Sequence, residues 1–227
     1  MRRNSTTILS LAFLLAAVFS IAGSFSRHFW LHDLFTPFAT ILILVLALSN
    51  WLSFKMNYAL WIAIGLFFSL LGDIALLRSA QYFLPGLVAF LFAHIAYLIA
   101  FTRDAKFPAR ASIWLLALLV AAVLYFFLFP GLPGVLKLPV AVYALLLASM
   151  AGQAMGRYVV RHSRAARFAA IGALLFMLSD ALLSVDRFGA PLPRASLLIL
   201  VPYFVGQWLI ARSTCEPAHL SVSHWLD

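Results

Sequence analysis

Apolar residues fill eight long segments of the chain, and short polar or Pro/Gly-rich stretches separate them. A helix that crosses a bilayer needs about 20 mostly apolar residues, and eight segments are long enough. The pattern predicts an all-α integral membrane protein, a bundle of eight transmembrane helices that forms a single membrane domain over residues 1–227. The predicted helices lie approximately at 8–25, 34–52, 59–77, 83–101, 112–129, 138–159, 166–185 and 195–212.

The composition agrees with this prediction. The 227 residues are 65% hydrophobic and only 10% charged, whereas a soluble domain contains about 25% charged residues. The net charge of +9 comes from Lys and Arg beside the apolar segments, where such residues set topology and contact lipid phosphate. We therefore expect membrane lipids as partners and no nucleic acid. The single cysteine, Cys215, excludes a disulfide within the chain.

Lys and Arg are distributed unequally between the two sides of the predicted bundle. Eleven, among them Arg157, fall on the side of both termini, and five fall on the other side. Cytoplasmic loops carry the excess of basic residues, so we predict a bacterial plasma (inner) membrane protein with both termini cytoplasmic. The apolar run after Met1-Arg-Arg-Asn resembles a signal peptide, but we expect a retained first helix because the rest of the chain is also embedded.

The two halves of the chain share a weak similarity. Ile64 and Gly65 precede Asp73 by nine and eight residues, and Ile171 and Gly172 precede Asp180 by the same distances. Each half would then supply four helices in the same orientation, and parallel repeats of this kind occur in membrane proteins. Chance similarity between apolar helices is the alternative to two four-helix repeats.

Asp73 and Asp180 lie well inside the third and seventh predicted helices. A carboxylate in a bilayer costs at least a few kcal/mol, so it needs a partner, a cavity or a proton. At 1.5 Å per residue, they lie roughly 6 Å and 8 Å from the less basic ends of their helices. We interpret them as a catalytic pair facing one cavity between neighbouring helices, one carboxyl protonated and the other ionised. A purely structural pair would be easier to build from neutral residues.

Other features of the predicted spans accompany the two aspartates. Gly65, Ser69 and Asp73 form a stripe of small residues that allows close helix approach. Further polar side chains at similar or greater depth are His94, Tyr97, Tyr143, Tyr203 and Gln207. Hydrogen bonding between helices would by itself explain a lone Tyr or Gln, and a satisfied core residue is the alternative for His94.

Several chemistries find no signature in the sequence. Neither a Gly-x-Ser-x-Gly elbow nor a Walker or dinucleotide fingerprint occurs. Only His94 falls inside a predicted span, which argues against a three-His zinc site in the bilayer. An Asp/Asp/His metal site is a weaker alternative, and we predict no metal and no cofactor. The remaining histidines are predicted to lie in loops or tails: His28, His32, His162, His219 and His224.

Several stretches of the chain resemble the YhhN-type lysoplasmalogenase family. They extend from the second to the eighth predicted helix and comprise Leu66–Leu77, Phe83–Tyr97, Leu138–Tyr143, Gly172–Leu183 with Arg187-Phe188, and Pro202–Ile210. One departure is visible, because the family often has Lys-Pro at the entry to the second helix, where this chain has Thr36-Pro37. If that lysine binds lipid phosphate in the family, the resemblance does not determine the substrate preference of this chain.

The resemblance implies a membrane-embedded hydrolase that cleaves the vinyl ether of a lysophospholipid, a lysoplasmalogen, to a fatty aldehyde and a glycerophospho-alcohol. Asp73 and Asp180 would supply the acid and the anion, in an order that the sequence leaves open. Arg78 and Arg187 are phosphate-binding candidates. Substrate or water would be oriented by His94, Tyr97, Tyr143, Tyr203 and Gln207.

A proton-coupled lipid or small-molecule transporter is the competing hypothesis. Paired acids inside a membrane relay protons in transporters as readily as they catalyse reactions. The sequence gives no indication of the oligomeric state.

Overall fold

The computed structural model describes residues 2–26, 29–78 and 80–215. These residues contain eight helices that are long and apolar enough to cross a membrane, so the predicted all-α, multi-pass membrane protein is confirmed. The helices are α1 (Arg2–Phe25), α2 (Phe29–Phe54), α3 (Asn57–Leu76), α4 (Phe83–Phe101), α5 (Ala111–Leu128), α6 (Gly134–Arg161), α7 (Arg164–Phe188) and α8 (Ala195–Arg212). Short 3-10 helices occupy Ala80–Tyr82, Phe129–Gly131 and Ser213–Cys215.

Several helices are longer than the apolar pattern predicts. α2 begins at Phe29 and α6 at Gly134, because a helix can continue with polar residues through the headgroup region beyond the hydrocarbon core. The prediction that His32 lies in a loop is therefore wrong, since this residue belongs to the first turn of α2. His28, His219 and His224 lie outside the described residues.

Six helices form a ring, and two flank it. Around the ring, α2 packs on α3, α3 on α4, α4 on α6, α6 on α7, α7 on α8, and α8 on α2. Outside the ring, α1 packs on α2 and α8, whereas α5 packs mainly on α6. Buried apolar side chains such as Leu66, Met150 and Phe176 fill the interior.

The packing around the ring has the arrangement expected of two parallel four-helix repeats. The contacts of α2 with α3 and of α3 with α4 correspond to those of α6 with α7 and of α7 with α8. The contact of α4 with α6 likewise corresponds to that of α8 with α2.

The prediction that the third and seventh helices are neighbours is wrong. Among the described residues, α3 packs on α2, α4 and α8, and α7 packs mainly on α6 and α8.

Glycines allow the helices that carry the aspartates to approach their partners closely. A Cβ on Gly65 of α3 would overlap the Tyr97 ring of α4. A Cβ on Gly172 of α7 would lie 2.7 Å from the carbonyl oxygen of Gly206 in α8. Small residues permit such contacts between membrane helices. The contacts fix how α3 and α7 are rotated, and therefore where their aspartates point.

A buried ion pair ties α6 to the connection between α4 and α5. Arg157 is only 2% exposed, and its Nε and Nη2 donate to the two carboxylate oxygens of Asp104 over 2.7 and 2.9 Å. One turn earlier, Gln153 Nε2 donates to the carbonyl oxygen of Ala105 over 3.0 Å. The interpretation of Arg157 as a basic residue that contacts lipid is wrong, because its charge is neutralised inside the protein.

Candidate active site

A cavity of about 260 Å³ lies at the end of the ring opposite the Arg157–Asp104 pair. Its walls come from the first halves of α2, α4, α6 and α8 and from the last turns of α3 and α7. These helix segments meet at one end of the bundle because neighbouring helices along the chain run in opposite directions. Asp73 and Asp180 both line this cavity, so the prediction that the two carboxylates face one cavity is confirmed.

Asp73 is buried, with 5% of its surface exposed. Thr40 Oγ1 donates to Asp73 Oδ2 over 2.5 Å, and the Tyr203 hydroxyl donates to Asp73 Oδ1 over 2.5 Å. Both carboxylate oxygens therefore accept a hydrogen bond from a hydroxyl group. An ionised carboxylate is an acceptor only, and hydrogen bonds to it are stronger than those between neutral groups. This environment suits the ionised form of Asp73.

Asp180 has a different environment. The Tyr143 hydroxyl donates a short hydrogen bond to Asp180 Oδ2, and His94 Nε2 lies 4.0 Å from the same oxygen. Among the described residues, none donates a hydrogen bond to Asp180 Oδ1, and 12% of the side chain is exposed. The structure thus separates two carboxyls that the sequence could not tell apart: Asp180 keeps one oxygen, Oδ1, without a hydrogen bond from the described residues, and that oxygen can carry a proton.

Three of the predicted orienting residues lie behind the cavity wall. The Tyr97 hydroxyl donates to Gln207 Oε1 over 2.8 Å, and Gln207 Nε2 lies 3.4 Å from the Tyr203 hydroxyl. The chain of contacts therefore leads to Asp73 through Tyr203. His94 is fully buried, and its ring packs edge-on against Tyr143 with centroids 5.0 Å apart. Tyr143 and Tyr203 line the cavity itself, whereas the other three hold these tyrosines in place.

The sequence analysis missed a polar stripe on α2. His32, Thr36 and Thr40 stand four residues apart and so share one face of the helix. His32 and Thr36 line the cavity, and Thr40 binds Asp73. The Thr36 hydroxyl also lies 2.6 Å from that of Ser20 on α1. The i, i+4, i+8 spacing was the available signal, but threonine is also common in membrane helices as a residue that bonds its own backbone.

The two phosphate-binding candidates are exposed at the cavity end of the bundle. The Arg187 guanidinium lies 4.0 Å from the centroid of the Phe83 ring, and Phe83 lines the cavity together with Phe188. Arg78 follows Leu77, which also lines the cavity. Both cations are thus close to the mouth of the cavity, with Arg187 held by its aromatic neighbour.

The candidate site is built from carboxyl, hydroxyl and imidazole groups. Across residues 2–26, 29–78 and 80–215, no three His, Cys, Asp or Glu side chains cluster so that they could hold a metal ion. The Asp/Asp/His alternative therefore has no geometric support in the described part of the chain. The arrangement can donate a proton, stabilise a cation and accept a proton from water.

Comparison with known proteins is consistent with this geometry. Lysoplasmalogenase TMEM86A of Bos taurus is 32% identical over 193 residues, which cover 82% of this chain and 79% of that protein. The Homo sapiens protein of the same name is 31% identical over 193 residues, with the same coverage. Lysoplasmalogenase TMEM86B of Rattus norvegicus is 33% identical over 174 residues, which cover 75% of this chain and 69% of that protein.

No solved structure matches the chain significantly. The sequence profile of the YhhN family matches residues 31–214, which include every residue that lines the cavity. The chain therefore belongs to the YhhN family.

Proposed function

We propose that this protein hydrolyses the vinyl ether bond of lysoplasmalogens within the membrane. The observation that carries the proposal is the pair of carboxyls, Asp73 and Asp180, on one cavity in two different hydrogen-bonding environments. The names of the relatives, lysoplasmalogenases, support the same reaction. Vinyl ether hydrolysis needs a protonated acid and, close by, an anion that stabilises a cation, and this pair can provide both.

In our proposal Asp180 is the general acid. Its Oδ1 accepts no hydrogen bond from the described residues, and Asp180 lines the cavity, so in our proposal a proton on Oδ1 reaches the β-carbon of the vinyl ether. The Tyr143 hydroxyl, bound to Oδ2, stabilises the carboxylate that remains. Proton transfer uses the C=C electron pair to form the new C–H bond, and the ether oxygen then shares its lone pair to give an oxocarbenium ion.

Asp73 is the proposed anion and general base. Two hydroxyl donors bind its oxygens and favour the ionised form, and in our proposal its charge stabilises the oxocarbenium ion. Water adds to the cationic carbon while Asp73 accepts its proton, and a hemiacetal forms. The hemiacetal collapses when the proton on Asp73 passes to the glyceryl oxygen, whose bond to carbon breaks. The hydroxyl proton returns to Asp180, and the products are an aldehyde and a glycerophospho-alcohol.

The transporter hypothesis explains the buried acids but uses less of the structure. A proton relay requires no difference between two carboxyls, whereas here one accepts two hydrogen bonds and the other keeps one oxygen free for a proton. Arg187 beside Phe83 also fits a lysophospholipid, since its guanidinium can bind a phosphate at the mouth of the cavity. The lysophospholipid and membrane lipids are accordingly the proposed partners.

Turnover in heavy water tests the proposed reaction. Purified protein in detergent should release a fatty aldehyde from an alkenyl lysophospholipid, and in D2O the aldehyde should carry one solvent deuterium on the carbon next to the carbonyl. This position is where the acid delivers its proton. Reduction of the aldehyde to the alcohol as it forms, followed by mass spectrometry, prevents later exchange. A pure transporter releases no aldehyde, and an aldehyde without deuterium would contradict protonation at carbon.

We also propose that both termini are cytoplasmic, in a bacterial inner membrane, and that the cavity opens toward the opposite face. The support is the excess of Lys and Arg on the terminal side. A C-terminal fluorescent protein should therefore fluoresce, and a C-terminal alkaline phosphatase should be inactive. An active phosphatase would reverse the topology and place the cavity on the cytoplasmic side.

A further inference from the structure

A second cavity, of about 270 Å³, lies outside the ring between α5, α6 and α7. Its walls are mainly aliphatic side chains, among them Leu124, Leu147 and Met177. On α7 its lining runs from Leu174 to Ser184, which at 1.5 Å per residue is about 15 Å along the helix axis. An elongated apolar space of this kind suits a hydrocarbon chain rather than a polar molecule.

The two cavities share one wall. Tyr143, Asp180 and Ser184 line both of them. The first cavity adds polar groups such as His32, Thr36 and Asp73, whereas the second adds mostly aliphatic ones. Asp180 therefore stands at the border between a polar space and an apolar one.

We propose that the second cavity binds the alkenyl chain of the substrate. This inference rests on the proposed function, and it adds a binding place for the alkenyl chain of the substrate. In a lysoplasmalogen the vinyl ether joins the polar glycerophospho part to the apolar chain, and Asp180 is the residue at which the two cavities meet. A substrate whose glyceryl end occupies the first cavity and whose chain occupies the second has its vinyl ether beside Asp180. The β-carbon is then on the chain side, next to the acid, and the cationic carbon faces Asp73 and water.

The way α5 is held explains how a chain enters. Only 6% of the α5 span is buried, against 33% for α1, the other flanking helix. α5 touches α6 closely at the end away from the first cavity, where a Cβ on Gly152 would lie 2.9 Å from the Trp114 backbone. Nearer to Asp180, the second cavity lies between α5 and its neighbours.

Side chains on the rim of the second cavity are open to the lipid. Val120 of α5 is 52% exposed, and Leu174 and Leu178 of α7 are 43% and 49% exposed, although all three line the cavity. The cavity is thus accessible from the side, between α5 and α7. A lysolipid can slide its chain in from the bilayer without passing through the polar end.

Two adjacent alanines on α5 provide the test. Ala121 lines the second cavity, whereas Ala122 is exposed and does not line it. Ala121→Phe fills part of the space, so kcat/KM for a long-chain alkenyl lysophospholipid should fall by about tenfold or more, the effect expected of a misfitted apolar pocket. A short-chain substrate with the same headgroup should lose little. Ala122→Phe should leave both rates unchanged, and monodisperse elution with an unchanged melting temperature verifies folding.

A labelling experiment addresses the same cavity without turnover. A saturated alkyl-ether lysophospholipid with a diazirine near the end of its chain, irradiated on the protein, should label peptides of α5, α6 and α7, and Ala121→Phe should suppress this labelling. Labelling spread over all eight helices, or equal loss of long- and short-chain turnover, would overturn the proposal. If the wild-type protein releases no aldehyde from either substrate, the proposed function fails instead, and the labelling result still decides the chain site.

Discussion

Asp180→Asn and Asp73→Asn should each lower kcat by about 10²–10⁴-fold, the usual contribution of general acid–base catalysis. Asparagine keeps the shape of the side chain and can still bind the Tyr143 or Tyr203 hydroxyl. It can neither donate a proton as a carboxylic acid nor stabilise a cation as an anion. The measurement is aldehyde release from a long-chain alkenyl lysophospholipid under saturating conditions. Asp33→Asn is the matched control, because Asp33 is exposed on α2 and outside the cavity.

Three further results follow from the proposed division of roles. The double variant should be little slower than either single variant, because the two groups act as a unit. The wild-type rate should fall at high pH, where Asp180 loses its proton, and at low pH, where Asp73 gains one, which gives a bell-shaped profile. The residual activity of Asp180→Asn should lack the high-pH limb, and that of Asp73→Asn the low-pH limb. Near-wild-type rates for both folded variants would contradict the carboxyl mechanism.

The number of helices and their order could be read from the sequence, because each span is an uninterrupted apolar segment between short breaks. The helix ends could not, since polar residues such as His32 continue a helix into the headgroup region without any change in backbone geometry. The order in which the helices pack around the ring also could not be predicted from the sequence. Asp73 and Asp180 were expected on adjacent helices, but the helices of the ring bring them to one cavity without packing α3 along α7.

The two carboxyls of the candidate site were predictable for a simple reason: an acid in a bilayer is costly wherever it lies. The differences between their environments were not predictable. Whether Thr40 and Tyr143 reach an aspartate depends on how α2 and α6 are oriented about their own axes, and the sequence does not give this orientation. Thr40 resembles any threonine of a membrane helix until its contact with Asp73 is known. The proposed assignment of the acid and anion roles therefore rests on the three-dimensional contacts, because no sequence motif distinguishes the two aspartates.

Arg157 shows the same limit at the other end of the bundle. Position near the end of an apolar segment predicts a cation that reaches lipid phosphate. The actual partner, Asp104, is 53 residues away in sequence, and no local pattern links the two. The ion pair lies at the end of the bundle opposite the candidate active site. Removing its carboxylate therefore tests the effect on stability of losing a carboxylate that takes no part in the proposed catalysis.

Asp104→Ala should destabilise the protein by about 3 kcal/mol, the lower end of the range for removing one partner of a buried ion pair. The variant leaves the Arg157 guanidinium buried without its carboxylate, and a buried unpaired charge is costly. The lower end applies because the Asp104 side chain is 23% exposed, so water partly replaces it. Thermal or chemical unfolding in lipid nanodiscs measures the loss. Arg161→Ala, one turn further on α6 and exposed, should change stability little.

A second substitution in the same variant distinguishes an unpaired charge from lost packing. Asp104→Ala combined with Arg157→Met removes both charges and keeps an apolar side chain of similar length, so the double variant should be more stable than Asp104→Ala alone. If the double variant is instead less stable than the wild-type protein by the sum of the losses of the two single variants, the pair contributes no coupling energy and the explanation is wrong. Folded Asp104→Ala protein should keep its kcat, in contrast to Asp73→Asn and Asp180→Asn, because its carboxylate holds the chain together and takes no part in the proton transfers.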